Sequence, residues 1–119
     1  MTEVGQAVAA LCPEIESELK PRLRGLTGMI ISRYLPQTWV FATEREIASI
    51  VVDPQGNAVA YDGAVGNPDV TIRTDQVRLL AALITRDARQ VPAGAPPQVS
   101  YHSKKGKDAF QFLRGKFGL

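Results

Sequence analysis

Residues 39–84 read WVFATEREIASIVVDPQGNAVAYDGAVGNPDVTIRTDQVRLLAALI, and the order of patterns within them decides the fold. Trp39, Phe41 and Thr43 alternate against Val40 and Ala42, the period-two signature of a strand. Ile47–Val52 is apolar on nearly every position, which predicts a strand in mid-sheet. Asp53-Pro54-Gln55-Gly56-Asn57 supplies turn chemistry, Ala58–Tyr61 a further strand, and Asp62–Pro68 a glycine-containing loop. Asp69–Arg73 is again a strand. Thr74 is placed to cap a helix with Asp75 in its first turn, and Val77, Leu80, Ala81 and Ile84 supply a buried face, with Arg78 and Arg86 off it. No residue type in this block stands out as catalytic. It builds an antiparallel sheet with a helix to lay across it, and so an apolar interior suited to holding or docking something.

Outward toward the N-terminus, Val4, Ala7, Val8 and Leu11 have helical spacing within Glu3–Leu11. Pro13 suits the first turn of a following helix, which places a hinge at Cys12. Ile15, Leu19, Leu23 and Leu26 continue an apolar stripe, Pro21 should kink or divide it, and Gly25 is a stop. In Met29–Leu35, Ile31, Arg33 and Leu35 alternate against Ile30, Ser32 and Tyr34, and the run predicts a strand preceding Gln37–Thr43. On the other side, Ala88–Pro97 carries Pro92, Gly94, Pro96 and Pro97 and reads as a loop. Gln98–Ser103 is a short strand. Lys107–Phe117 is a last helix with Phe110, Leu113 and Phe117 on one side, and Gly106 and Gly115 make it dependent on a surface to fold against.

The chain has 119 residues with 45% hydrophobic and 22% charged, which predicts one globular domain over 1–119. No apolar run approaches the ~18–20 residues that span a bilayer. Met1-Thr2-Glu3-Val4 does not have the basic start of a signal peptide, and Cys12 is the sole cysteine, so a reducing cytoplasm is the expected compartment. Residues 1–60 carry five Lys/Arg against seven Asp/Glu, and residues 61–119 carry nine against five. The excess of base lies at Lys104, Lys105, Lys107, Arg114 and Lys116, a candidate surface for an anionic membrane. Tyr34, Tyr61 and Tyr101 form no stacking motif beside these bases, which argues against nucleic acid.

The catalytic inventory is thin. His102 is the sole histidine, and a nucleophile pair with Cys12 would require two distant elements to meet. The sequence has no metal-ligand spacing, phosphate loop or nucleophile elbow, and so no catalytic residue, metal or cofactor is assigned. Asp53, Asp62 and Asp69 all sit at strand ends, where the carboxylate serves the turn. Gly63-Ala64-Val65-Gly66 matches a Gly-x-x-Gly loop of RNA-binding domains, but strands rather than helices flank it, and glycine there serves a strand connection.

Taken with the order of elements, Trp39-Val40-Phe41, Ile50–Gly56 and above all Asn67-Pro68-Asp69-Val70-Thr71-Ile72-Arg73-Thr74-Asp75-Gln76 resemble the sterol carrier protein 2 family. The resemblance spans Leu11–Leu119, with a proline-rich Ala88–Pro97 where that family carries a glycine-rich strand. It implies an α+β fold: a five-stranded, antiparallel-type sheet with helices packed on one face. It further implies a non-catalytic domain that holds a fatty acyl chain, sterol or isoprenoid between the two layers. A carrier of this kind needs an apolar cavity. Its candidate lining is Val40, Phe41, Ile50, Val52, Val59, Val70 and Ile72 from the sheet, with Leu80, Leu83, Ile84, Phe110, Leu113 and Phe117 from the helices. The C-terminal helix is the expected lid. The rival reading is an interaction or scaffold module with a filled core, and an enzyme built on Cys12 and His102 stands third.

Overall fold

The computed structural model describes residues 1–114 and residue 119; Lys116 and Phe117, both singled out above, lie outside the described residues. The strands are β1 (Gln37–Ala42), β2 (Ile47–Val52), β3 (Ala58–Asp62), β4 (Val70–Arg73) and β5 (Gln98–Tyr101). They form one five-stranded sheet in the order β3-β2-β1-β4-β5. The helices are α1 (Glu3–Arg22), α2 (Gly25–Ile31), α3 (Gln76–Thr85) and α4 (Lys104–Leu113), with short 3-10 turns at Ser32–Tyr34 and Ala88–Gln90.

The α+β class stands, and one feature of the sheet is corrected. β1 pairs antiparallel with β2 but parallel with β4, with Trp39 opposite Val70 and Phe41 opposite Ile72, so the sheet is mixed. The cause is the connection from β3 to β4. It leaves the sheet edge, passes over the face away from the helices, and delivers β4 to the far side of β1. Ser49 holds it there: its hydroxyl donates to Gly63 O at 2.7 Å and accepts from Val65 N at 3.0 Å. That crossing strap accounts for the complete burial of a serine.

Strand alternation divides the side chains cleanly. Trp39, Phe41, Ala48, Ile50, Val52, Val70 and Ile72 join Val4, Val8 and Leu11 of α1, Leu79 and Leu83 of α3 and Phe110 of α4 in one core. Val40, Ser49, Thr71 and Tyr61 share cross-strand rows on the opposite face. Phe110 is fully buried, edge-on to Trp39 at 5.3 Å between ring centroids and beside Tyr101 at 6.1 Å. Truncating a side chain so placed costs ~3–5 kcal/mol, so α4 is anchored to the sheet by this ring.

Asp69 fixes where α4 starts. Its carboxylate accepts from Thr38 N at 2.9 Å and from the Ser103 hydroxyl at 2.6 Å, and Ser103 in turn caps α4 by accepting from Gly106 N. The Asp69 backbone accepts from His102 N and donates to Thr38 O. Gly106 lies so close that a Cβ there would stand 2.6 Å from Asp69 O. The helix therefore begins at Lys104, three residues earlier than the apolar stripe alone predicts.

A second polar clamp holds the starts of α1 and α3. In the β1–β2 turn, Thr43 Oγ1 accepts from Arg45 N and Glu46 N and donates to Gln76 Oε1 at 2.7 Å. Glu46 accepts from Val4 N at 3.1 Å and from Gln76 Nε2 at 2.5 Å. Because Gln76 is drawn into this network, the inward face of α3 is Gln76, Leu79, Ala82 and Leu83. The expected face of Val77, Leu80, Ala81 and Ile84 is off by one position; Val77 and Ile84 are exposed, and Leu80 packs at the core's edge. The N-cap is Asp75, accepting from Arg78 N at 2.8 Å, rather than Thr74.

Two further expectations are corrected. α1 is continuous through Pro13 and Pro21, with no hinge at Cys12. Val4, Val8, Leu11, Ile15 and Leu19 hold one face of it to the core on both sides of Pro13, which offsets the lost backbone bond, and Pro21 falls in the last turn. Met29–Leu35 is helical, not a strand: α2 runs into the 3-10 turn. β4 occupies the edge of β1 that this segment would have needed, and an apolar run this short carries no period strong enough to resist. The fifth strand is instead β5, on the far side of β4.

Replacing Asp69 by Ala leaves Thr38 N and the Ser103 hydroxyl unpaired in a partly buried setting and should cost ~1–3 kcal/mol of unfolding free energy. Gly106→Ala should be destabilising for the independent reason that its methyl meets backbone. Urea unfolding followed by circular dichroism measures both, and an unchanged midpoint for Asp69→Ala would refute the anchoring role.

Acid stability should follow Glu46 and Asp53. Hydrogen bonds, foremost from the Gln76 side chain and then from Val4 N, hold the Glu46 carboxyl below the usual range; those from Asn57 do the same for Asp53. With the folded value depressed, the unfolded chain binds more protons in acid. The contribution is thus complete above the ordinary carboxylate range and is lost as pH falls through the folded values. The melting temperature should fall between about pH 5 and pH 3, and Glu46→Gln with Asp53→Asn should flatten that limb. An identical acid limb in the double variant would show that other groups govern it.

Candidate functional site

α1 is 20 residues long and α3 is 10. At 1.5 Å per residue, α3 covers roughly half the length that α1 spans. It stops at Thr85, with Arg86 in the left-handed conformation at φ 56°. Beyond Arg86, between α1 and α4, no helix among the described residues fills the layer above the sheet. The space is a cleft of about 780 Å³.

Its walls are apolar and come from four places. α1 contributes Leu11, Ile15 and Leu19; the segment after α1 contributes Ile31, Tyr34 and Leu35; the sheet contributes Trp39, Ile50 and Val52; α4 contributes Ala109, Phe112 and Leu113. Charged groups stand at the rim: Glu14, Glu18, Arg22, Arg86 and Asp108. Arg86 pairs with Glu14 across the rim, and Arg22 pairs with Glu18 on α1 itself.

The polar wall group Gln37 is already committed to the protein. Its side-chain amide donates to Tyr34 O at 2.7 Å and Lys105 O at 3.0 Å, and its carbonyl accepts from Trp39 Nε1 at 2.9 Å. One residue thus ties the 3-10 turn, β1 and α4 together at the cleft wall and presents the indole in a fixed orientation.

The structure places the residues named from sequence in different settings. Ile50, Val52 and Leu113 line the cleft. Phe41, Val70, Ile72, Leu83 and Phe110 are packed core, with Leu80 at its margin. Val40 and Val59 alternate to the other face of the sheet, and Ile84 is exposed. Phe117 lies outside the described residues. The cleft residues that sequence reasoning missed, Ile15 and Leu19 above all, were visible as an apolar helical stripe with no assigned partner. Trp39 was visible as the largest side chain on its strand face, and the structure sets it in register with Ile50.

The basic tail is not a uniform surface. Lys105 is tied inward, donating to Pro36 O at 2.6 Å with Asp69 3.8 Å away. Arg114 lies over the Phe110 ring at 5.6 Å and donates to Leu119 O. Lys104 and Lys107 are exposed, and Lys116 lies outside the described residues.

Cys12 and His102 are not brought together. Cys12 sits on α1 beside the core, where burial first and the nearby Glu16 charge second push its thiol pKa up. His102 Nε2 lies 3.0 Å from Thr71 Oγ1, on the face of the sheet away from α1. The three carboxylates at strand ends serve structure. Asp53 closes its turn by accepting from Gln55 N and Asn57 N, Asp62 accepts from Thr2, and Asp69 acts as described. Among the described residues no group of three or more His, Cys, Asp or Glu is placed to hold a metal ion.

No family model matches the chain, and no curated protein matches it. Among solved structures, that of a "UbiJ-SCP2 Ubiquinone synthesis protein" is similar over 90% of this chain and 93% of its own, with a TM-score of 0.48 at 16% identity.

Proposed function

We propose that this chain is a non-catalytic carrier that binds one apolar molecule, a fatty acyl chain, sterol or isoprenoid, in the cleft between α1 and α4. The observation that carries the reading is the cleft itself. Its 780 Å³ falls in the range of small-molecule sites, and apolar side chains make up its walls while charge is confined to the rim. Protein cores ordinarily close such spaces, because each unfilled volume forfeits packing. An open space of this size in a chain of 119 residues is best accounted for by an occupant. The rival module with a filled core requires the opposite packing.

Binding needs no chemistry from the protein. The apolar ligand leaves water, Trp39 and Leu113 supply contact area, and the paired charges at the rim leave the mouth wettable. The working compartment in this reading is the cytoplasm, where Cys12 remains a free thiol.

Trp39 is the sole tryptophan and lines the cleft, so it reports occupancy directly. Titration with palmitate or a short isoprenoid alcohol should shift its emission saturably, and native mass spectrometry should show one bound molecule. Filling the space with Ile15→Phe and Ala109→Phe should weaken binding about tenfold or more while leaving the melting temperature within a few degrees, since both side chains would enter existing space. A gently purified protein with a clean unliganded mass, and no emission change with either ligand, would favour the interaction module.

A further inference from the structure

We infer that α2 is the bilayer-docking surface of this protein, and that its partner is an anionic membrane met at the mouth of the cleft. α2 reads Gly25-Leu26-Thr27-Gly28-Met29-Ile30-Ile31 and contains no charged residue. Leu26, Met29 and Ile30 are 83%, 65% and 59% exposed, and Phe112 on α4 is 80% exposed. Solvent-facing apolar side chains concentrated on one short helix mark a site of contact rather than ordinary surface.

Two observations select a membrane as the occupant. The first is charge. Residues 19–43 carry Lys20, Arg22, Arg24 and Arg33 and not a single Asp or Glu. Lys20 and Arg22 are paired with Glu16 and Glu18 on α1. Arg24 and Arg33 flank α2 on either side, both exposed, and make no ion pair among the described residues. An apolar segment bracketed by unpaired arginines is complementary to a bilayer with anionic headgroups: the side chains enter the acyl boundary and the guanidinium groups stay with phosphate.

The second is continuity with the cleft. Ile31 ends α2 and lines the cleft, as does Phe112, whose side chain is otherwise so open. A bilayer contacting Leu26, Met29 and Ile30 would thus adjoin the opening. An apolar molecule could pass between membrane and cleft with less of its surface exposed to water. No helix among the described residues is long and apolar enough to cross a membrane. The assignment differs from the expectation drawn from the C-terminal bases, of which Lys105 is held by Pro36 O and Asp69.

The inference extends the carrier reading, and its test separates the two. The wild-type protein is mixed with vesicles of phosphatidylcholine containing about 30% phosphatidylglycerol, and with pure phosphatidylcholine vesicles, and bound protein is measured by co-sedimentation. Binding should require the anionic lipid and weaken as salt is raised. Leu26→Glu with Met29→Glu should reduce it about tenfold or more, and Arg24→Glu with Arg33→Glu by a similar factor. Both variants alter exposed positions, and both should retain the wild-type circular dichroism and the Trp39 response to palmitate added from solution.

Vesicle binding by either variant equal to wild type would overturn the assignment. So would wild-type binding that is indifferent to lipid charge. A wild type that ignores vesicles but forms a dimer, dissociated by Leu26→Glu with Met29→Glu, would make a second copy the occupant and also overturn it. Loss of the Trp39 response in wild type, with vesicle binding intact, would remove the carrier reading and leave the docking surface standing.

Discussion

The buried carboxylate of Asp69 is the constraint on which the working parts of this molecule depend. It joins β1 to the start of β4 through Thr38 N, and through Ser103 it sets the first turn of α4 against the same point. Gly106 permits the approach, with no room for even a methyl group. Everything α4 does follows from that placement: Phe110 lands edge-on to Trp39, and Ala109, Phe112 and Leu113 become one wall of the cleft. A charged group so buried is costly unless its acceptors are filled, and here two donors fill them with Lys105 nearby.

The cleft persists because the helices are fixed at their ends rather than by filling the space between them. Thr43, Glu46 and Gln76 fasten the starts of α1 and α3, Asp69 fastens the start of α4, and Gln37 fastens the turn after α2. With those ends set, shortening α3 to 10 residues leaves a gap that the neighbours cannot close without breaking hydrogen bonds. Collapse would recover packing energy but would strip the buried Gln37, Asp69 and Gln76 of their partners, and the clamps oppose it.

The sheet was largely legible because strand alternation is a local property: β1 to β4 and the Asp53–Asn57 turn lie where period and turn residues put them. What was not legible depended on partners far along the chain. Gln76 looks like a surface residue until Thr43 and Glu46 claim it, and that moved the face of α3 by one position. Residues 29–35 looked like a strand until β4 took the edge they needed. Parallel pairing of β1 with β4 rests on a serine holding a loop, which no pattern announces. For the site, the error was to draw the lining from the most apolar strands. Phe41, Val70 and Ile72 are packed core, and Ile50 and Val52 share the cleft with residues such as Ile15, Leu19 and Phe112, whose apolar surface the fold leaves incompletely covered.

That distinction bears on which wall admits a ligand. α4, the expected lid, is held at its first turn by Ser103 and Gly106 and in its middle by a fully buried Phe110. α2 packs chiefly on α1 and the 3-10 turn that follows it rather than on the sheet, and its exposed side chains lose no buried area when it shifts. Local opening draws on the elements with the fewest buried contacts. By that measure the entrance of the proposed carrier would lie at α2, between the left-handed Gly25 and the Gln37 tether. On the proposed reading the same few residues would serve as door and docking surface: the apolar groups that α2 exposes to water are those a bilayer would cover, so contact with the membrane would favour opening where a ligand would pass.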